Sequence, residues 1–234
     1  APRGPGPTTR ITGVAGANVG HAPCIAIAGQ ASTHRLHKES HQVLDLEAMF
    51  QPITKYASRI VSPEVIPEVV RKAFKVAQTE KTGACFIEFP ENIAEMDIDD
   101  VPLRVKNATA PEPAAEEIER AAEVISNAKS PIILAGNGVI RANACDELAE
   151  FSEKLGIPIA NTFMAKGVVP FRHPMALGSV GLQSHDYANC GFANADVIIC
   201  IGYDIVDYHQ YLWPPLPDRT IDHIHPHSPE VERN

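Results

Sequence analysis

Residues 131–138, Pro131-Ile132-Ile133-Leu134-Ala135-Gly136-Asn137-Gly138, join a short apolar run to a turn that contains two glycines. An apolar run of this length, bounded by turn residues, predicts a buried strand. Residues 142–155 follow as a predicted helix, which Gly156 is expected to end. A strand, a tight turn and a helix in this order form the repeating unit of a parallel α/β sheet.

The same alternation extends to both sides of this unit. Further strands are predicted at residues 24–28, 53–61, 84–89, 157–160, 197–201 and 220–224, and helices at residues 44–50, 62–78 and 116–127. The stretch from Glu91 to about Pro113 is rich in Asp, Pro and Ala without a period, which indicates a linker. The sequence therefore predicts an α/β protein with two doubly wound parallel-sheet domains, residues 1–98 and 115–234, joined by a linker at 99–114.

Composition excludes several classes of protein. Lys and Arg number 20 against 29 Asp and Glu, and this net charge of −9 repels the phosphate backbone of nucleic acids. Apolar runs all fall short of a membrane span, and the start Ala-Pro-Arg-Gly does not resemble a signal peptide. The five cysteines are scattered without a CxxC pair, which favours buried free thiols and a cytoplasmic protein. Both chain ends are expected to be internal to a longer protein.

Three local patterns are candidate ligand-binding sites. Gly136-Asn137-Gly138 could cradle a phosphate, but no third glycine follows at the required spacing, so a tight turn is favoured. A polar loop is favoured over a zinc site for His34, His37, Glu39 and His41. The third pattern consists of four histidines near the end of the sequence: His209, His223, His225 and His227. No carboxylate stands at ligand spacing from them, so no metal site is predicted there.

Several segments, taken together, resemble thiamine-diphosphate enzymes over essentially the whole chain. Gly4-Pro5-Gly6 with Thr8, and residues 22–30 ending in Gly29-Gln30, resemble the second half of the pyrimidine-binding domain of that family. Residues 86–92 resemble the strand that closes this domain. Residues 131–138 and 161–167 resemble the Rossmann-like central domain. The resemblance implies that the two predicted domains are the C-terminal half of the pyrimidine-binding domain and the central domain.

Within that family the closest resemblance is to the FAD-independent, catabolic acetolactate synthases. Residues 41–45, His-Gln-Val-Leu-Asp, and residues 50–56, Phe-Gln-Pro-Ile-Thr-Lys-Tyr, match segments of that branch. Residues 202–208 and Trp213 match its IGYD…EY…W segment, where the FAD-containing branch has a GVRFDDR run. FAD is therefore not expected. Thr9 and Arg10 depart from the family pattern near the cofactor.

The resemblance implies the condensation of two pyruvates to 2-acetolactate with loss of CO₂, with thiamine diphosphate and Mg²⁺ as cofactors. It places Gly4, Pro5 and Gly6 near the aminopyrimidine ring, Gln30 in the substrate channel, and His41 and Gln42 at the channel mouth. The activating glutamate and the GDG motif that holds Mg²⁺ and the diphosphate are expected outside this chain, which alone is expected to be inactive. A homodimer or homotetramer is expected.

Two alternatives stay open at this point. The first is another thiamine-diphosphate carboligase or decarboxylase, such as a glyoxylate carboligase. The second is a noncatalytic nucleotide-binding module, for which Gly136-Asn137-Gly138 is the supporting feature.

Overall fold

The chain forms two compact units, residues 1–109 and 110–234, in a computed structural model. The structure describes residues 3–106, 111–180, 187–213 and 219–227. Among these residues, no helix combines the length and the apolar character that crossing a membrane requires.

The first unit is a three-stranded parallel sheet covered on both faces. Its strands are β1 (Cys24–Gln30), β2 (Tyr56–Arg59) and β3 (Ala84–Pro90), in the order β1-β3-β2. Its helices are α1 (Pro5–Thr8), α2 (Ile11–Val19), α3 (Leu46–Phe50), α4 (Ile66–Gln78) and α5 (Glu91–Ala94).

Side chains of β3 point alternately to the two faces of the sheet and contribute to a hydrophobic cluster on each face. Phe86 points to one face, where its ring stacks on Phe50 of α3 with 4.0 Å between centroids. Cys85 and Ile87 point to the other face and pack with Ala73 of α4. Because successive strand residues face opposite sides, a nearly continuous apolar strand must be covered twice.

The second unit is a five-stranded parallel sheet with the order β6-β5-β4-β7-β8. Its strands are β4 (Pro131–Ala135), β5 (Ile159–Asn161), β6 (Ala176–Ser179), β7 (Val197–Ile201) and β8 (Thr220–Ile224). Its helices are α6 (Ala115–Asn127), α7 (Asn137–Arg141), α8 (Cys145–Leu155) and α9 (Tyr187–Asn194). One apolar cluster lies on each face: Ile132, Ile198 and Phe192 belong to one, and Ile133, Ile199 and Leu148 to the other.

The predicted fold class, two parallel-sheet α/β units, is confirmed. The details differ where turn chemistry overrides the apolar pattern. The strand predicted at 53–61 is restricted to Tyr56–Arg59, because Gln51–Ile53 form a 3₁₀ turn around Pro52. The helix predicted at 142–155 begins only at Cys145, since the separate helix α7 ends at Arg141 and Asn143 has a positive φ of 55°.

The cysteines are free thiols, but fewer are buried than predicted. Cys85 and Cys200 are buried, Cys24 and Cys145 are half-buried, and Cys190 is exposed. Burial raises the pKa of Cys85 to about 11, and burial also raises the pKa of Cys200. A thiol with a raised pKa is a poor nucleophile at neutral pH, so these two side chains have a packing role.

Close backbone contact between two strand ends explains the glycine-rich turn after β4. A Cβ added to Gly136 would lie 2.3 Å from the Gly202 carbonyl oxygen, and one added to Gly138 would lie 2.7 Å from Gly202 Cα. Gly202 itself has a φ of +58° and accepts a hydrogen bond from the Gly138 N–H at 2.8 Å. The turn is tight, as predicted, because the two loops touch through their main chains.

This contact generates a stability prediction. Gly136→Ala should destabilise the chain by about 1–3 kcal/mol, because its Cβ would overlap backbone atoms that cannot rotate away. Gly16→Ala is the matched control, since Gly16 lies in helix α2 with nothing within 4 Å of the added Cβ. That control should stabilise by about 0.5–1 kcal/mol. Urea denaturation checks both values, and equal effects at the two positions would contradict the contact.

Candidate functional site

The carboxyl edge of the first sheet gathers the predicted site residues. The three strands are parallel, so they end at the same edge, at Gln30, Arg59 and Pro90. Ligands in open α/β sheets bind in the crevice beyond the carboxyl ends of the strands. This edge is therefore the candidate site of the first unit.

Gln30 is fully buried at the end of β1 and is fixed by its neighbours. Its amide nitrogen donates to the Leu44 carbonyl at 2.8 Å and to Glu88 Oε1 at 2.5 Å. Its amide oxygen accepts from the Ala31 N–H at 2.9 Å. Both N–H donors are thus in use, and the unused hydrogen-bonding capacity is one lone pair on the amide oxygen.

A buried ion pair lies beneath Gln30. Glu88 on β3 is fully buried, and its second oxygen accepts from Arg59 Nε at the end of β2. Arg59 also reaches Asp45 Oδ1, 3.5 Å from its Nη2. Burial raises the pKa of Glu88, while the hydrogen bonds from Arg59 and Gln30 oppose that shift. The carboxylate therefore joins the ends of all three strands.

Glu91, the first residue of α5, joins the loops of this edge. One of its oxygens accepts from the Ser32 N–H at 3.2 Å and lies 3.6 Å from Arg35 Nη1, and the other accepts from Arg3. Thr33 and Asn92 add a reciprocal pair of hydrogen bonds nearby. The helical turn at Glu91–Ala94, at the start of the stretch without a period, thus holds the loop after β1.

The structure brings Gly4 and Gln42 together. Gly4 is buried with a φ of +59°, and a Cβ there would lie 2.7 Å from Gln42 Cβ. Pro5, His41 and Gln42 are exposed and Gly6 is half-buried. The His41 carbonyl accepts from Arg35 Nη2 at 3.4 Å. The predicted cofactor-binding turn and the predicted channel loop are thus neighbours. Gln30 contacts the same loop, because its amide donates to the Leu44 carbonyl.

The carboxyl edge of the second sheet is shaped differently. A pocket of about 650 Å³ opens beside it, and its walls include Ile118, Ala122, Val139, Phe151 and Ile224. The N–H groups of Gly136 and Gly138 are bonded to the carbonyls of Ile201 and Gly202. They are not free to cradle a phosphate, so this turn does not support nucleotide binding.

Aromatic side chains fill the other face of that edge. Tyr203 donates to the Tyr208 carbonyl at 2.6 Å, and Tyr208 donates to Asn189 Oδ1 at 2.6 Å. Trp213 packs against both tyrosines with centroids about 6 Å apart, at 5.9 and 6.2 Å. The segment 202–213 is therefore largely a packing element in this unit.

Comparison with known proteins decides the family. Residues 118–234 match the family described as "Thiamine pyrophosphate enzyme, central domain". The chain belongs to the thiamine-diphosphate enzymes. The solved structure of a putative thiamin diphosphate-dependent enzyme from Mycobacterium smegmatis superposes with a TM-score of 0.80 over 95% of this chain and 44% of that one, at 24% identity. This structural similarity shows that the two proteins share a fold over the matched region.

Curated relatives carry two enzyme names. A probable acetolactate synthase large subunit from Methanocaldococcus jannaschii is 38% identical over 85% of this chain and 35% of its own length. An acetolactate synthase from Bacillus subtilis is 32% identical over 98% of this chain and 42% of its own length. A glyoxylate carboligase from Escherichia coli O157:H7 is 33% identical over 88% of this chain and 35% of its own length. The chain thus spans well under half the length of these relatives.

The exposed surface of the first unit includes Pro5, His41 and Gln42 beside the buried Gly4. The diphosphate and Mg²⁺ need several oxygen ligands together. The described part of the first unit has no group of three clustered His, Cys, Asp or Glu ligands, and the sequence has no GDG motif. The described residues of the first unit therefore offer no clustered ligand set for the diphosphate and Mg²⁺.

Sequence reasoning missed the supports of this site, Glu88, Arg59 and Glu91. A signal for the first was available, because Glu88 interrupts the apolar run Phe86-Ile87-Glu88-Phe89. A charged residue in a buried strand requires a partner. The identity of that partner depends on which strand lies next to β3, which the local sequence does not encode.

The buried ion pair generates a second stability prediction. Glu88→Ala should destabilise the chain by about 1–3 kcal/mol, because it removes the buried acceptor to which both Gln30 and Arg59 donate. The matched control is Glu117→Ala, which breaks the exposed pair of Glu117 with Arg120 and should cost less than about 1 kcal/mol. Denaturant titration measures both. Similar costs for the two substitutions would contradict the structural role of Glu88.

Glu88 also predicts a pH dependence. Its pKa in the folded chain is raised above the ordinary value of 4.5, so the folded state holds this proton more tightly than the unfolded state. The part of its contribution that is linked to this proton is fully present below that value and is lost as pH rises through the folded pKa. The stability of the wild type relative to Glu88→Gln should therefore fall as pH rises above 4.5. Denaturation midpoints at several pH values check this, and a relative stability that rises with pH would contradict it.

Proposed function

We propose that this chain is part of an FAD-independent acetolactate synthase, which condenses two pyruvates to 2-acetolactate and CO₂. The observation that carries the proposal is the position of residues 41–45, a segment typical of that enzyme, at the carboxyl edge that holds Gln30: Leu44 accepts from the Gln30 amide and Asp45 pairs with Arg59. The second typical segment, residues 50–56, packs Phe50 on Phe86 and leads into the start of β2. The names of the relatives from M. jannaschii and B. subtilis support the same assignment.

Thiamine diphosphate, when bound, supplies the carbon nucleophile and the electron sink for decarboxylation. The residues of this chain would position the reactants around it. In the proposal, Gly4, Pro5 and Gly6 lie against the aminopyrimidine ring, and Gln30 faces the substrate. Its amide orientation is preset by Glu88 and Leu44, so little conformational entropy is lost when pyruvate binds. His41 and Gln42 border the entrance.

The whole protein would supply what this chain lacks. Relatives are more than twice as long as the part matched here, and a third domain with the Mg²⁺ and diphosphate ligands belongs to the proposal. We further propose a cytoplasmic homodimer or homotetramer in which the site lies between subunits. The second unit then acts as a scaffold, consistent with the packed aromatic cluster at Tyr203, Tyr208 and Trp213.

A glyoxylate carboligase is the second candidate. The E. coli relative of that name is 33% identical, close to the 32% of the B. subtilis acetolactate synthase. Overall identity therefore does not separate the two activities. The matches at residues 41–45 and 50–56 favour the acetolactate synthase.

The test is product formation by the complete gene product that carries this chain. It is purified, supplied with thiamine diphosphate and Mg²⁺, and given pyruvate or glyoxylate in separate reactions. Acetolactate formed from pyruvate without added or bound flavin supports the proposal. Carboligation of glyoxylate alone replaces it with the second candidate, and a requirement for FAD overturns the FAD-independent assignment. No turnover of either substrate overturns both assignments.

Gln30 generates a prediction on activity. In the complete enzyme, Gln30→Ala should lower kcat/KM for pyruvate by about ten-fold or more, equivalent to about 1.4 kcal/mol of transition-state stabilisation. Glu150→Ala is the control, because Glu150 is exposed on helix α8 of the second unit, and it should leave kcat/KM unchanged. Steady-state kinetics measure both. Unchanged kinetics in a folded Gln30→Ala enzyme would remove Gln30 from the site.

A further inference from the structure

Two neighbouring strands of the second sheet deliver a cluster of metal-ligating side chains. β7 and β8 are parallel, with Ile201 paired to Ile224, and the Gly202 N–H donates to the Ile224 carbonyl at 3.0 Å. Asp204 comes shortly after β7 ends, and His225 and His227 come directly after β8. Parallel strands that end side by side therefore bring a carboxylate and two imidazoles to the same point.

The three side chains converge closely. One ligand atom from each lies within 4.8 Å of the others, and His225 Nε2 is 4.0 Å from Asp204 Oδ1. The side chains of Asp204 and His225 are each only 2% exposed. The rings of His225 and His227 are 3.9 Å apart between centroids. Among the residues that the structure describes, this is the one group of three such ligands.

Arg141 orients the carboxylate from outside the cluster. Its Nη1 and Nη2 both lie 3.3 Å from Asp204 Oδ2. Asp204 Oδ1 is thereby the oxygen that faces His225. Hydrogen bonds of this kind to the distal atom of a ligand fix its orientation in metal sites.

We propose that Asp204, His225 and His227 bind a divalent transition-metal ion of the zinc type. Two imidazole nitrogens and one carboxylate oxygen are ligands that such ions prefer, whereas Mg²⁺ prefers oxygen ligands alone. Ligands about 2.1 Å from a tetrahedral zinc lie about 3.4 Å apart, so the gap between His225 and Asp204 closes by about half an ångström on binding. A water completes the coordination.

The site ties the ends of β7 and β8 together. It is independent of the Mg²⁺ that the diphosphate of the cofactor would require, because it uses nitrogen ligands of the second unit. The sequence predicted no metal site here, since no carboxylate stands at ligand spacing from these histidines along the chain. The carboxylate comes instead from Asp204, in the loop that follows the adjacent strand β7.

The experiment titrates the metal-free 234-residue chain with Zn²⁺ by calorimetry and with Co²⁺ by visible absorption. One equivalent of Zn²⁺ should bind and raise the thermal midpoint, and Co²⁺ should develop the absorption bands of a low-coordinate site. His225→Gln and His227→Gln should each weaken Zn²⁺ binding by at least about ten-fold. His34→Gln and His37→Gln, in the other histidine-rich segment, are the controls and should bind like the wild type.

The outcomes separate the proposal from its rivals. Circular dichroism of the metal-free variants shows whether each is folded, and the cobalt spectrum of the wild type does not depend on any variant. No saturable Zn²⁺ binding by the wild type overturns the site. Binding that survives in both His225→Gln and His227→Gln, or that is lost in the controls, also overturns it by moving the metal elsewhere.

Discussion

The buried carboxylate of Glu88 determines how the first unit is arranged. It lies on the central strand, accepts from Gln30 at the end of one neighbouring strand and from Arg59 at the end of the other. A buried charge without such partners would cost several kcal/mol, so Gln30 and Arg59 must be in place when Glu88 is buried. Gln30 consequently has one orientation, and the loop that carries Leu44 and Asp45 is fixed by the same residues.

The second unit depends on a different constraint, the main-chain contact between the turns after β4 and β7. Gly136, Gly138 and Gly202 allow this approach because they lack a Cβ. The contact uses the amide groups that could otherwise bind a phosphate. It also fixes the chain just before Asp204, whose carboxylate is held between Arg141 and His225. The turn after β4, which looks like a ligand-binding motif in the sequence, therefore serves packing. The proposed metal ligands instead follow β7 and β8.

The strands and most of the longer helices could be predicted because they rest on local patterns, as for Pro131–Ala135 and Val197–Ile201. Ala176–Ser179 was missed because its residues are small and half-buried, without an apolar run or a clear alternation. The site residues Gly4, Gln30, His41 and Gln42 came from family resemblance. Their supports, Glu88 and Arg59, could not be paired from the sequence, since they meet only through the order of the strands.

In the proposed enzyme, the carboxyl edge of the first sheet faces the cofactor and the substrate. A structure of the complete gene product with thiamine diphosphate, Mg²⁺ and pyruvate bound tests this arrangement. The aminopyrimidine ring is expected beside Gly4, Pro5 and Gly6, and the substrate within hydrogen-bonding distance of Gln30. Bound substrate or cofactor located away from this edge, with Gln30 still enclosed by Leu44 and Glu88, would contradict it.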